Sequence, residues 1–191
     1  MQKVLLFSLL LTLGACSKKS AAPAIHFAPG ELHLDKAEIA DLPPDKVGSK
    51  AFGVIFDLFK ARKIEDWSSA AKLLPQPWRA LYTSSELDGE VKNGGFHQYF
   101  YNTRCKLLRE TLDDLRYLGA SEFADIYEKA ISGIDMAYYT SSKREDDDWE
   151  KFTTKYADHQ WNELEKRFYA QKPKLDEIAA KHIKEHPEDY Q

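Results

Sequence analysis

The chain has 191 residues, 31 acidic against 27 basic side chains for a net charge of −4, 43% apolar residues and two cysteines. A mildly acidic balance excludes the cationic composition of a nucleic-acid binder, and no direct nucleic-acid binding is expected. The aromatic-rich apolar fraction is enough to fill one hydrophobic core.

The chain opens on Met1-Gln2-Lys3, a short positive start, followed by an apolar run over residues 4–13 broken only by Ser8 and Thr12. A run of about ten residues is too short for a hydrocarbon core that needs roughly twenty, and it has the form of a secretion signal. Leu13-Gly14-Ala15-Cys16 follows at once and resembles the bacterial lipobox, in which small residues admit the peptidase and the cysteine thiol is lipidated. Residues 1–15 are therefore expected to be a lipoprotein signal peptide, with Cys16 carrying lipid (a diacylglyceryl group and palmitate-like acyl chains) and holding the protein on the membrane. Ser17, rather than Asp, follows the cysteine, which favours the outer membrane if the host is Gram-negative. With Cys16 acylated, only Cys105 remains, so no intrachain disulfide is available and the core must hold the fold.

Residues 16–44 are expected to form a lipidated tether: Lys18, Lys19, a Ser/Ala/Pro stretch, Pro29-Gly30 and Pro43-Pro44 give no sustained apolar period. Such a chain reaches on the order of 30 Å from the bilayer. Whether residues 25–34 pack back on the domain as an extended arm is left open by the sequence. Residues 45–191 are expected to form one helical domain.

The domain begins with Phe52, Ile55, Phe56 and Phe59 on one helix face, then a short segment over residues 67–74 stopped by Pro75 and Pro77. Trp78, Leu81, Tyr82, Leu87 and Val91 mark a helix running to Asn93-Gly94-Gly95. Leu107, Leu108, Leu112, Leu115 and Leu118 mark another, ended by Gly119, and Ser121 is predicted to cap the next, which carries Phe123, Ile126, Tyr127, Ala130 and Ile134. Trp149, Phe152, Tyr156, Leu164 and Phe168 predict a long helix, and Pro173 is predicted to open a last one through Leu175, Ile178 and Ile183. No segment alternates as a strand does. The expected fold is all-α, a single domain of six or seven helices without internal repeat.

The segment from Glu90 through Val91, Asn93, Gly94, Gly95, Phe96, His97, Gln98, Tyr99, Phe100 and Tyr101 to Asn102 is the most informative. Asn93-Gly94-Gly95 is a helix stop that tolerates left-handed backbone angles and close approach of backbone or ligand. After it, a short aromatic helix sets Phe96, Tyr99 and Phe100 on one side and His97 and Tyr101 on the other. Glu90 is placed to accept hydrogen bonds from the loop amides, so Glu90, Asn93, His97, Gln98 and Asn102 are candidates for a polar site or pocket. The competing structural reading has Glu90, Asn93 and Gln98 satisfying the backbone of the turn.

This segment resembles a widespread bacterial domain family of unknown function named after a DNA-mimic protein. The shared pattern is a helix ending Glu-Val-x-Asn-Gly-Gly-Phe, followed by Gln-Tyr-Phe and Asn, matched here by Glu90, Val91, Asn93, Gly94, Gly95, Phe96, Gln98, Tyr99, Phe100 and Asn102. The resemblance extends over residues 52–168. It implies an all-α fold and no established general enzymatic activity. The member that gives the family its name uses surface carboxylates to imitate DNA phosphates and occupies a DNA-binding partner; this chain differs from it by its export signal.

A mimic needs many carboxylates with few cations between them. Glu145-Asp146-Asp147-Asp148 is an acidic run, and Glu110, Asp113, Asp114, Glu122 and Asp125 add to it, but Lys106, Arg109, Arg116, Lys129, Lys143, Arg144 and Lys151 are interleaved. An ordinary solvated surface is the favoured reading, with Asp146, Asp147 and Asp148 at the positive end of the following helix. His182 and His186 share a helix face at metal-ligand spacing without an evident third ligand. His97 and Glu90 could pair as acid and base. Cys105, taken to lie on the leucine-rich helix, reads as a packing residue. No catalytic residue, metal site or cofactor is expected. Two function classes stand: a lipid-anchored module binding a protein partner in the cell envelope, which is favoured, and a small hydrolytic or ligand-binding domain using residues 93–102.

Overall fold

Proline sets where two of the longer helices begin, because its fixed φ and missing N–H suit the first helical turn. In the computed structural model, which describes residues 25–28, 30–140 and 160–191, Pro44 opens one such helix and Pro77 lies in the first turn of another. Among the described residues the chain is all-α, with nine helices and no strand, in one compact domain. These are α1 (Lys36–Asp41), α2 (Pro44–Ala61), α3 (Trp67–Ala71), α4 (Gln76–Thr103), α5 (Leu108–Tyr117), α6 (Ser121–Ser132), α7 (Met136–Thr140), α8 (Asn162–Ala170) and α9 (Leu175–Glu185), followed by a 3-10 turn, Pro187–Tyr190. The excess over six or seven comes from the short helices α1 and α7, each of which is too short to show a period. The leader, Cys16, Asp146, Asp147, Asp148 and the first part of the expected long helix, with Trp149, Phe152 and Tyr156, lie outside the described residues. No helix among the described residues is long and apolar enough to cross a membrane.

The long helix α4 runs through two apolar clusters. Its first half contributes Trp78, Leu81 and Tyr82 to a core shared with Ile55 and Phe59 of α2 and Ile183 of α9. The residues from Leu87 onward, with Phe96, Tyr99 and Phe100 beyond the glycines, join Leu115 of α5, Phe123, Ile126 and Tyr127 of α6 and Phe168 of α8 in the second. Each fully buried side chain of this size contributes roughly 1.5–3 kcal/mol. A part-buried ion pair joins α4 to α5: Arg79 of α4 donates to both carboxylate oxygens of Asp114 on α5, at 2.8 and 2.9 Å, and Thr83 donates to the same group at 3.1 Å. Asp114 is fully buried.

One question the sequence leaves open is answered, and two local expectations are corrected. Residues 25–28 and 30–34 lie against the domain as an arm: Leu32 and Leu34 are buried, Phe27 stacks on Phe59, and Arg62 donates to the His26 carbonyl at 2.6 Å. The Leu34 amide donates to the Tyr190 carbonyl at 2.8 Å and Gln191 Nε2 to the Leu34 carbonyl at 2.6 Å, so the arm is clasped by the far end of the sequence. Ser121 is the first residue of α6 and not its cap; the N-cap is Ala120. The turn before it is a Schellman motif, with Gly119 at φ +76°, the Ala120 amide on the Leu115 carbonyl and the Gly119 amide on that of Arg116. Ala120 thus ends one helix and starts the next, leaving no free position for a hydroxyl cap. Pro173 likewise precedes the cap of α9, which is Lys174, whose amide donates to Glu177 Oε2 at 2.8 Å.

Candidate functional site

The helical hydrogen-bond ladder of α4 breaks at Gly94 (φ −157°, ψ 28°) and Gly95 (φ 72°, ψ −175°). The second conformation is essentially reserved for glycine. The break divides α4 into a first half ending near Val91 and a second beginning at Phe96, each with a terminus that needs partners. Both termini receive a partner from another helix. Glu165, on α8, places its carboxylate over Gly95 and accepts from the Phe96 amide at 2.9 Å, capping the second half from 69 residues away. One turn further along α8, Tyr169 donates to the Val91 carbonyl at 2.6 Å and closes the first half. A Cβ on Gly95 would stand 2.2 Å from Glu165 Oε1, and one on Gly94 would stand 2.1 Å from Gln98 Oε1. Both glycines are therefore needed for close approach, one of another helix and one of a side chain folding back.

Glu90 bridges the same break on another side. Its Oε2 accepts from Gln98 Nε2 at 2.7 Å and from Asn102 Nδ2 at 2.8 Å, so it straps the first half of α4 to two successive turns of the second. The loop amide that the sequence assigns to Glu90 is taken by Glu165 instead. Asn93 stays exposed at the break, while Gly94, Gly95, Phe96, His97, Tyr99 and Phe100 are buried. Phe96 stacks on Phe100 and meets Phe168 edge-on, and the Tyr99 hydroxyl lies 2.8 Å from that of Thr111. His97 Nδ1 is 2.5 Å from the Tyr139 hydroxyl on α7. His97 and Glu90 thus engage different partners and do not form an acid/base pair.

These polar groups act as fasteners between helices. One cavity of about 400 Å³ lies beside Gly119, Ser121, Gln171, Pro173, Lys181 and His182; another of about 350 Å³ lies beside Gly48, Phe52, Leu81, Asp88, Leu175 and Asp176. Neither includes any residue from 90 to 102, so the expected pocket at the motif is not one of them.

Other candidate residues fall in place individually. Cys105 sits in the turn between α4 and α5, after left-handed Arg104, and not on the leucine-rich helix; burial pushes its thiol up to about 11, which makes it a poor nucleophile at neutral pH. His182 and His186 have ring centroids 4.7 Å apart, and burial together with the neighbouring imidazole holds His182 below the usual histidine range. Among the described residues no group of three metal-ligating side chains occurs. Of the carboxylates near the acidic run, Glu110 pairs with Lys72 at 3.0 Å, Asp113 with Arg109 at 3.8 Å and Asp114 with Arg79.

Sequence reasoning missed Glu165, Tyr169 and Tyr139. The first two stand four residues apart, hence on one face of α8, and that spacing was the only available signal.

A family model described as DMP19-like protein matches residues 72–186. The match starts after α3 rather than at residue 52, and it runs past residue 168 to take in α9, which packs on α2 and α4. No curated protein and no solved structure matches the chain significantly. The match covers more than half the chain and includes the entire broken helix with its Glu165 and Tyr169 fasteners, and the chain belongs to the DMP19-like protein family.

Proposed function

We propose that the protein is a lipoprotein of the bacterial cell envelope, anchored through lipid on Cys16, whose helical domain binds a protein partner. The anchor rests on the sequence Leu13-Gly14-Ala15-Cys16 directly after a short apolar run. The observation that carries the interaction reading is that the motif's polar groups are engaged within the fold's own hydrogen bonds: Glu90 with Gln98 and Asn102, the Phe96 amide with Glu165, and His97 with Tyr139. A domain whose most distinctive residues hold helices in register offers its outer helical surfaces for recognition.

The anchor is tested by metabolic labelling with a fatty-acid analogue. Wild type should take up label and fractionate with membranes, and Cys16→Ala should do neither; equal labelling of the two would refute it. The partner is sought by site-specific crosslinking in intact envelopes.

The second reading is mimicry of DNA toward a DNA-binding protein, favoured by the family resemblance. The pairing of Glu110, Asp113 and Asp114 with cations weighs against it, since a mimic needs uncompensated carboxylates. Replacing Asp146, Asp147 and Asp148 together by Asn separates the two. A modest loss of partner binding fits the favoured reading; a large loss with a steep salt dependence in wild type fits mimicry.

A further inference from the structure

One half-buried acidic group on the half of α4 before the break takes no part in fastening it. Glu86 lies one helical turn after Tyr82 and one turn before Glu90, the residue that straps the break. Tyr82 donates to Glu86 Oε1 at 3.1 Å, while Oε2 is buried and meets no hydrogen-bond partner among the described residues. An ionised carboxylate with a buried oxygen that no protein group serves is costly, whereas the neutral acid fits such a place better. The titratable groups facing it are Tyr82 and Glu90 on its own half of α4 and Tyr99 on the other half. Asp66, at the start of α3, bears on Tyr82 and is itself held by Lys106 from the turn before α5. No cation is among the groups that act on Glu86 directly.

We propose that Glu86 is a proton-operated latch on the α4 break: neutral, it leaves the Glu90 strap to Gln98 and Asn102 undisturbed, and ionised, it sets a second negative charge one turn from Glu90 and loosens that strap. Burial is the main cause that pushes the Glu86 carboxyl up to about 7, and the Glu90 charge adds to it. In the unfolded chain the group titrates near its ordinary value of 4.5. The folded state therefore holds the proton more tightly, and its stability is fully present below about pH 4.5 and is lost as pH rises toward 7 and above. The direction is opposite to that of a salt-bridged carboxylate, and the window spans pH values that an envelope protein meets outside the cytoplasm. The latch follows from the geometry of α4 and does not depend on the identity of the partner.

Three measurements test it. Carbon-detected NMR should show the Glu86 carboxyl titrating between pH 6 and 8; titration below pH 5 would overturn the proposal, and this reading needs no variant. In urea unfolding, the equilibrium constant for wild type should rise relative to that of Glu86→Gln by roughly seventyfold between pH 5 and pH 8, as linkage requires for these two values. Parallel pH profiles would count against Glu86. Amide exchange, corrected for its intrinsic pH dependence, should accelerate with pH at residues 96–102 more than in α5 and α6 in wild type, and not in Glu86→Gln. Uniform acceleration would leave a titrating group with no latch, and the proposal would fail.

Discussion

Replacing Gly95 by alanine is the sharpest perturbation of the broken helix. Two separable costs arise. The backbone at φ 72°, ψ −175° is strained for any residue with a Cβ, at about 1–3 kcal/mol. The new Cβ would also stand 2.2 Å from Glu165 Oε1 and 2.8 Å from its Cδ. Glu165 can swing aside, but it then releases the Phe96 amide, and a hydrogen bond to a charged acceptor contributes roughly 1.5–3 kcal/mol. Together the substitution should cost about 3–5 kcal/mol. Gly119→Ala is the control, because Gly119 has φ +76° with nothing within 4 Å of a Cβ, so only the left-handed penalty of roughly 1–2 kcal/mol applies. Equilibrium urea unfolding followed by tryptophan fluorescence measures both. In a Glu165→Ala background the cost of Gly95→Ala should shrink by about the value of the lost cap. The reasoning is refuted if Gly95→Ala and Gly119→Ala destabilise equally, or if the cost of Gly95→Ala is indifferent to Glu165.

Other substitutions read different fasteners. Tyr169→Phe removes the bond to the Val91 carbonyl and should cost about 1 kcal/mol, with faster amide exchange confined to the end of the first half of α4. Arg79→Met strands the fully buried Asp114 with only Thr83 and should cost about 3 kcal/mol or more by chemical denaturation; Asp114→Asn should cost less, because Arg79 retains some access to water. Leu34→Ala should lower stability by about 3 kcal/mol if the arm belongs to the core, and a melting temperature equal to that of wild type would return these residues to the tether.

The parts of the fold that could be read in advance are those whose evidence is local. The spacing of Ile55 and Phe59 marks the buried face of α2, with Phe52 half-buried at its edge, whereas Phe56, expected on the same face, is exposed; Leu112 and Leu115 mark the face of α5, and Leu118 continues it at the C-cap. The glycine pair was legible as an interruption because the side chains themselves forbid a continuous helix there. What holds the interruption together was not legible, since Glu165 and Tyr169 reach it from 69 and 78 residues away. The same distance hid the arm: its two alternating stretches, Ile25 with Phe27 and Leu32 with Leu34, are three residues each and separated by Pro29-Gly30, too short to read as an element, and its partners are Phe59, Arg62 and Tyr190. Glu90 was identified as important but given the wrong partner, because the helix that supplies the better acceptor is remote in sequence. Ser121 was assigned a cap because the hydroxyl suits one, whereas the Schellman turn had already used the position before it.

The clasp between Leu34 and residues 190 and 191 has a consequence for the order in which the fold assembles. Tyr190 is fully buried, packed edge-on against Trp78, and its carbonyl receives the Leu34 amide. Synthesis delivers the arm well before residues 187–191, so in a nascent chain Phe27 can already stack on Phe59 and Arg62 hold the His26 carbonyl while Leu34 still lacks its partners. Closing a loop of this length carries an entropic cost, and the Leu34 share of the reward arrives only when residues 190 and 191 emerge. The half of the arm nearer Phe27 should therefore dock early and the half at Leu34 late, so that the arm closes onto the domain in two steps rather than one.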